Sequence, residues 1–264
     1  MSDLLLEAPF YLPTGDEVEL FRAAYEERIP VLLKGPTGCG KTRFVEYMAW
    51  TLTHELVTVT CHDDMTAADL VGRYLLAADG TTWLDGPLTQ AVRSGALCYL
   101  DEVVEARKDT TVVLHSLTDH RRTLPIERLG AQLTAHPDFL LVVSYNPGYQ
   151  ASAKDLKPST RQRFMAIEFD YPGAGPEATI IAHEAGIDAG TAESLAFLGD
   201  RLRNLDEADL IDGPSTRLLI YVGALVRKGI PARRACDVAL VQAISDDAEV
   251  QEAVRKVASA VFAS

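Results

Sequence analysis

The sequence predicts an α/β protein in which a five-stranded parallel sheet covered by helices is followed by a small all-helical domain. Short apolar runs alternate with helix-like segments from Ile29 to Asp170, the rhythm of strands joined by helical crossovers. A breaker-rich stretch, Tyr171-Pro172-Gly173-Ala174-Gly175-Pro176, then interrupts the chain, and the remainder reads as helix. With 264 residues, 47% of them hydrophobic, the chain can bury a substantial core and fits either one large domain or a large domain plus a small one. The expected domains are 1–170 and 171–264.

The candidate strands are Val31-Leu33, Val57-Cys61, Leu97-Leu100, Phe139-Tyr145 and Ala166-Phe169. Each is a short apolar run of the kind that a sheet buried on both faces requires. Beyond the linker, helical segments are expected near Glu177-Ala185, Thr191-Asn204, Ser215-Lys228, Ala232-Ala243 and Ala248-Phe262. Leu218, Tyr221, Val222 and Leu225 recur at helical spacing, and Pro214-Ser215 and Pro231 stand where helices begin.

Composition narrows the function classes. Lysine and arginine number 25 against 38 acids, a formal charge of −13, which repels phosphate backbones and argues against a nucleic-acid partner. The longest apolar stretches, such as Phe139 to Val143, fall far short of the roughly 20 residues of a membrane span. No basic region precedes an apolar one at the N-terminus, so a cytoplasmic protein without membrane attachment is expected. Cys39, Cys61, Cys98 and Cys236 show no CxxC pairing, so neither structural zinc nor a disulfide framework is expected.

Gly35-Pro36-Thr37-Gly38-Cys39-Gly40-Lys41-Thr42 matches GxxxxGK[ST], comes after an apolar strand and opens a helix-like segment, Arg43-Trp50. Such a loop curls its backbone N–H groups around a β-phosphate at a helix N-terminus. Lys41 would reach the β and γ oxygens and Thr42 would ligate magnesium. ATP and Mg2+ are the cofactors this predicts. A second apolar run, Ala96-Leu97-Cys98-Tyr99-Leu100, ends in Asp101-Glu102. Asp101 would hold the magnesium hydration shell and Glu102 would polarise the attacking water. A third run, Phe139 to Tyr145, delivers Asn146 to an Asn-Pro-Gly turn, where its amide could bond the lytic water or the γ-phosphate.

These three elements in this order, together with a later arginine-rich segment and a helical domain, resemble the AAA+ ATPase superfamily over nearly the whole chain. The resemblance implies that one subunit's site is completed by a neighbour's arginine, which ties hydrolysis to ring assembly. Leu156-Lys157-Pro158-Ser159-Thr160-Arg161-Gln162-Arg163-Phe164 resembles the arginine-finger region, with Arg163 favoured and Arg161 its competitor. Gly213-Pro214-Ser215-Thr216-Arg217 resembles the helix start that carries the superfamily's sensor arginine, here Arg217.

Asp69-Leu70-Val71-Gly72-Arg73-Tyr74 and Trp83-Leu84-Asp85-Gly86-Pro87-Leu88 resemble the MoxR branch, whose second helix carries an insertion that projects into the ring pore. The insertion would lie near 74–86, with Ala77-Ala78-Asp79-Gly80-Thr81-Thr82 as the tip of its hairpin. More narrowly, the stretches Lys34 to Trp50, Tyr99 to Arg107 and Leu117 to Arg122 are similar to the CbbQ/NirQ/NorQ group. That resemblance implies a hexameric ring and a partner bearing a von Willebrand factor A domain. The client would be inhibited Rubisco (with a CbbO-like partner) or nitric oxide reductase (with a NorD-like partner). Gly72-Arg73-Tyr74-Leu75-Leu76 and Ala182 to Asp188 lean towards the CbbQ, Rubisco-linked, side. The reading from another class is a nucleic-acid-directed ATPase on the same core, against which the acidic charge stands.

Overall fold

The central sheet is built from β1 (Val31–Lys34), β2 (Leu56–Thr60), β5 (Leu97–Asp101), β8 (Leu140–Tyr145) and β9 (Met165–Glu168), matching the five predicted runs to within a residue at each end. All five strands are parallel, in the order β2-β5-β8-β1-β9. The computed structural model describes residues 7–77, 80–147, 156–205 and 213–262. Contacts divide the chain into two units, one made of residues up to Gly35 with Lys41–Phe169, the other of Pro36–Gly40 with the residues from Asp170 onward.

In the first unit the central strands β1, β5 and β8 are buried on both faces, as runs of consecutive apolar residues demand, while the edge strands β2 and β9 are partly exposed. Val31, Leu33, Leu97, Tyr99, Leu140 and Val142 point to one face and pack with Phe21 of α1 (Glu17–Glu26) and with Phe44, Val45 and Met48 of α2 (Lys41–Leu52). The alternate residues Leu32, Cys98, Leu100, Leu141 and Val143 face the opposite core. There they meet Leu70 of α3 (Ala67–Val71) and Leu88 and Val92 of α4 (Pro87–Ser94).

An antiparallel hairpin, β3 (Gly72–Ala77) with β4 (Gly80–Asp85), interrupts the path between α3 and α4. Its strands run further than the expected turn allows. Thr81 and Thr82 pair with Leu76 and Leu75 instead of belonging to a turn. β-Branched threonines suit a pleated strand better than a turn, and Tyr74 and Trp83 stack edge to face across the pair at 5.1 Å between ring centroids. Ala78 and Asp79, expected at the tip, lie outside the described residues.

A 3-10 turn and α5 (Lys108–Val112) come after β5. A second hairpin, β6 (Thr123–Ile126) with β7 (Ala131–Thr134), comes next and was not expected from the sequence. Its turn passes through Gly130 at φ 59°, a left-handed position that glycine takes without steric cost. The short α6 (Pro158–Arg161) leads into β9.

The second unit is helical: α7 (Ala174–Ala185), α8 (Ala189–Arg203), α9 (Thr216–Arg227), α10 (Ala232–Cys236), α11 (Gln242–Ile244) and α12 (Ala248–Val261). A π-helical turn, Asp237–Val241, joins α10 to α11, so the predicted helix Ala232-Ala243 is one run with a wider turn inside it. Side chains from α8, α9 and α12, including Leu195, Leu198, Leu219, Val222 and Val254, share one buried core. Asp188, Ser215 and Asp247 cap α8, α9 and α12 by accepting N–H groups of the first turn. The four cysteines are free and buried. Among the described residues no helix is long and apolar enough to cross a membrane.

Candidate functional site

The parallel strands all deliver their C-terminal ends to one edge of the sheet, where α/β proteins place their ligands. The loop after β1 runs from Gly35 to Gly40, with Gly38 at φ 71° and Gly40 at φ 103°. These left-handed values are open to residues without a Cβ and suit the tight loops whose backbone N–H groups bind anions. Lys41 then begins the twelve-residue α2, whose free N–H groups and dipole favour an anion.

Lys41 is buried, and its Nζ donates 2.8 Å bonds to the Gly35 carbonyl and to Asn146 Oδ1. The Asn146 amide in turn donates from Nδ2 to Glu102 Oε1 at 3.3 Å. The structure thus brings three of the predicted residues, from the start of α2 and from the ends of β5 and β8, into one bonded chain. Beside it, Thr42 Oγ1 lies 3.5 Å from Asp101 Oδ2. The β5–β8 register sets Asp101 beside Ser144: Leu100 is opposite Val143, and Asp101 and Ser144 lie one step beyond.

Two side chains that a sequence search passes over bind the acids. Tyr99 OH donates to Asp101 Oδ1 at 2.7 Å and lies 3.1 Å from Ser144 Oγ. Ser144 Oγ donates to the same Asp101 oxygen at 2.6 Å and accepts the Glu102 amide at 3.1 Å. Their signal was a polar atom inside an otherwise apolar strand, which a search for terminal acids does not weigh. Burial and the Asp101 charge raise the Tyr99 phenol, so it stays a donor. Cys61, at the end of β2, is pushed up to about 12 by burial and by the charges of Asp101 and Glu102, and stays a thiol.

The finger candidates lie elsewhere in the same unit. Arg163 Nη1 donates to the His115 carbonyl at 3.2 Å and stands 4.0 Å from Asp119 Oδ2, while its buried Nε has no partner among the described residues. Arg161 Nη2 donates to the Leu156 carbonyl at 3.3 Å. In the second unit Arg217 is exposed on the first turn of α9. Within that unit, a Cβ built on Gly38 would come 2.6 Å from Ser215 Cβ and 3.8 Å from Arg217 Cβ.

Thr42 Oγ1 and the Asp101 carboxylate are hard oxygen donors that fit Mg2+, which takes one or two protein ligands and fills its shell with phosphate oxygens and water. Among the described residues no group of three or more His, Cys, Asp or Glu side chains could hold a metal unaided.

Known proteins resemble the whole chain. Residues 30–164 match the AAA domain (dynein-related subfamily), and residues 177–261 match the CbbQ/NirQ/NorQ C-terminal family. The chain is 58% identical to the protein CbbQ of Hydrogenophilus thermoluteolus, covering 98% of this chain and 97% of that one. It is 57% identical to the protein NorQ of Paracoccus denitrificans, over 97% and 95% of the two chains. The denitrification regulatory protein NirQ of Stutzerimonas stutzeri is 56% identical over 95% and 91%. Among solved structures, a mutant RuvB of Thermotoga maritima superposes with a TM-score of 0.56 at 19% identity, over 93% of this chain and 71% of that one, which speaks for the fold alone. With a nucleotide-site loop, a terminal acid pair and full-length relatives in agreement, the chain belongs to the CbbQ/NirQ/NorQ family of AAA+ ATPases.

Proposed function

We propose that this ATPase is the motor subunit of a hexameric ring that works with a von Willebrand factor A-domain partner to remodel an inhibited client complex, with inhibited Rubisco as that client. The observation that carries the motor reading is the bonded chain from Lys41 through Asn146 to Glu102, which links phosphate binding to the water-activating acid.

In this reading residues Gly35 to Gly40 wrap the β-phosphate, and Lys41 exchanges Asn146 for the β and γ oxygens. Thr42 and Asp101 hold the magnesium side. Magnesium, when bound, neutralises charge that builds on the phosphate oxygens. Glu102 accepts a proton from the water whose oxygen bonds to the γ-phosphorus. The bond from that phosphorus to the bridging oxygen breaks, and its electron pair leaves with ADP. Asn146, released from Lys41, orients the water or the γ-phosphate. Arg163 of a neighbouring subunit, or Arg161 in its place, and Arg217 of the helical domain add positive charge to the γ-phosphate. The domains take the bounds 1–170 and 171–264.

The Rubisco assignment rests on the motif likeness at Gly72 to Leu76 and Ala182 to Asp188. Nitric oxide reductase is the second reading, since CbbQ and NorQ relatives stand at 58% and 57% identity. The test is ATPase activity of the purified chain with each partner and client. Lys41→Ala should lose nucleotide binding, and Glu102→Gln should bind ATP without turning it over. Turnover by Glu102→Gln at the wild-type rate would remove the catalytic assignment. Stimulation by nitric oxide reductase with its partner, and none by inhibited Rubisco, would move the client to the second reading.

A further inference from the structure

We infer that Ser144 and Tyr99 are positioning residues of the hydrolytic site. Their hydroxyls clamp one oxygen of Asp101 so that the other faces the metal side, and Ser144 also holds the Glu102 backbone in the turn that aims its carboxylate at Asn146. The inference rests on Asp101 holding the magnesium side and Glu102 activating the water.

Three observations converge on the pair. Both side chains are fully buried on strands whose neighbours are apolar, where a hydroxyl is costly unless bonded. Both hydroxyls spend their protons on the same atom, Asp101 Oδ1, at 2.7 Å and 2.6 Å. A carboxylate otherwise rotates in a broad, nearly two-fold well. Two donors on one oxygen remove that freedom and leave Oδ2, the oxygen 3.5 Å from Thr42 Oγ1, to face the metal side.

The third observation is the backbone of Glu102, at φ 56° and ψ 48°. A residue with a Cβ occupies this left-handed region at a cost, and such positions persist where the surroundings hold them. The Glu102 N–H donates to Ser144 Oγ, and its carboxylate then meets Asn146 Nδ2. Ser144 therefore reaches both acids, whereas Tyr99 reaches only Asp101. The two variants should differ accordingly.

The experiment uses the full-length protein and two readouts: affinity for a fluorescent ADP analogue with and without Mg2+, and kcat as a function of Mg2+. Tyr99→Phe should cut the Mg2+-dependent gain in nucleotide affinity and raise the Mg2+ half-saturation by about tenfold, the effect of one hydrogen bond to a charged group. Its kcat should fall less than that of Ser144→Ala. Ser144→Ala should show the same Mg2+ shift and, in addition, a fall in kcat of at least about tenfold that saturating Mg2+ does not repair. Ser144→Thr, which keeps the hydroxyl, should recover most of that loss, which a purely structural role would not predict for a bulkier side chain in a full site.

Wild-type Mg2+ response and kcat in a folded Ser144→Ala protein would overturn the inference, as would Ser144→Thr no better than Ser144→Ala. Should the Ser144 variants fail to fold, Tyr99→Phe decides, and an unchanged ratio of affinities with and without Mg2+ overturns the clamp. Lys41→Ala separates the levels: undiminished nucleotide binding there would discard the site reading itself, whatever the hydroxyl variants do.

Discussion

Replacing Glu177 with alanine should loosen the helical unit more than any exposed substitution could. Glu177 is fully buried near the start of α7, and Arg203, at the end of α8, meets it with two bonds of 2.7 Å and 2.8 Å. Thr216 Oγ1, on the first turn of α9, donates a third bond of 2.6 Å. One carboxylate therefore ties three helices, beside the turn that carries Arg217. Alanine leaves the Arg203 guanidinium, only 13% exposed, with the Pro214 carbonyl and the face of the Tyr171 ring as its remaining partners. Removing one partner of such a buried pair costs about 3–5 kcal/mol. At a urea dependence of about 2 kcal/mol per molar, the unfolding midpoint of this unit moves down by about 2 M. Urea titration of the full-length protein, with hydrogen exchange across α7 to α9 to localise the transition, measures the shift. The paired change Glu177→Leu with Arg203→Met should recover most of the loss, because two apolar groups leave no charge unpaired. A Glu177→Ala midpoint within about 0.5 M of wild type would refute the reasoning, since that corresponds to only about 1 kcal/mol.

The candidate fingers and their surroundings give two further expected outcomes. If Arg163 acts across a subunit interface, mixing Arg163→Ala with Lys41→Ala subunits should restore part of the ATPase activity that each lacks. Mixed rings shown to form yet inactive at every ratio would count against the assignment. His115, whose carbonyl accepts Arg163, has its imidazole pKa held below the usual 6.5 by burial and then by the charges of Arg163 and Lys157. The unfolded chain therefore binds more protons than the folded one just below pH 6.5, and stability should fall as the pH drops from there towards the folded value. His115→Asn should flatten that part of the stability curve, and an NMR titration midpoint for His115 at or above 6.5 would contradict the sign.

Much of the candidate site was legible because its parts are written in local order. Gly35 to Thr42 places glycines, lysine and threonine at a strand-to-helix junction, and Asp101-Glu102 and Asn146 each close an apolar run. The second hairpin was not legible, since Thr123–Ile126 and Ala131–Thr134 are short and their turn signal is a single glycine. Ser144 and Tyr99 were hidden for a different reason. A hydroxyl within a strand has no periodic signature, and its partner is known only when the neighbouring strand's register is known.

What the sequence determined by itself was therefore the set of parts: five short apolar strands, a glycine-rich loop, two terminal acids, an amide, three candidate arginines and a helical C-terminal region. Those features depend on residues adjacent along the chain. Only the tertiary structure decided which parts touch: Asn146 spanning Lys41 and Glu102, two hydroxyls meeting on one oxygen of Asp101, and Glu177 gathering three helices. Each of those contacts joins positions at least 26 residues apart or, for Tyr99 and Asp101, is completed by a strand over 40 residues away. The order in which strands pair and helices cross sets such distances, and no local pattern encodes it.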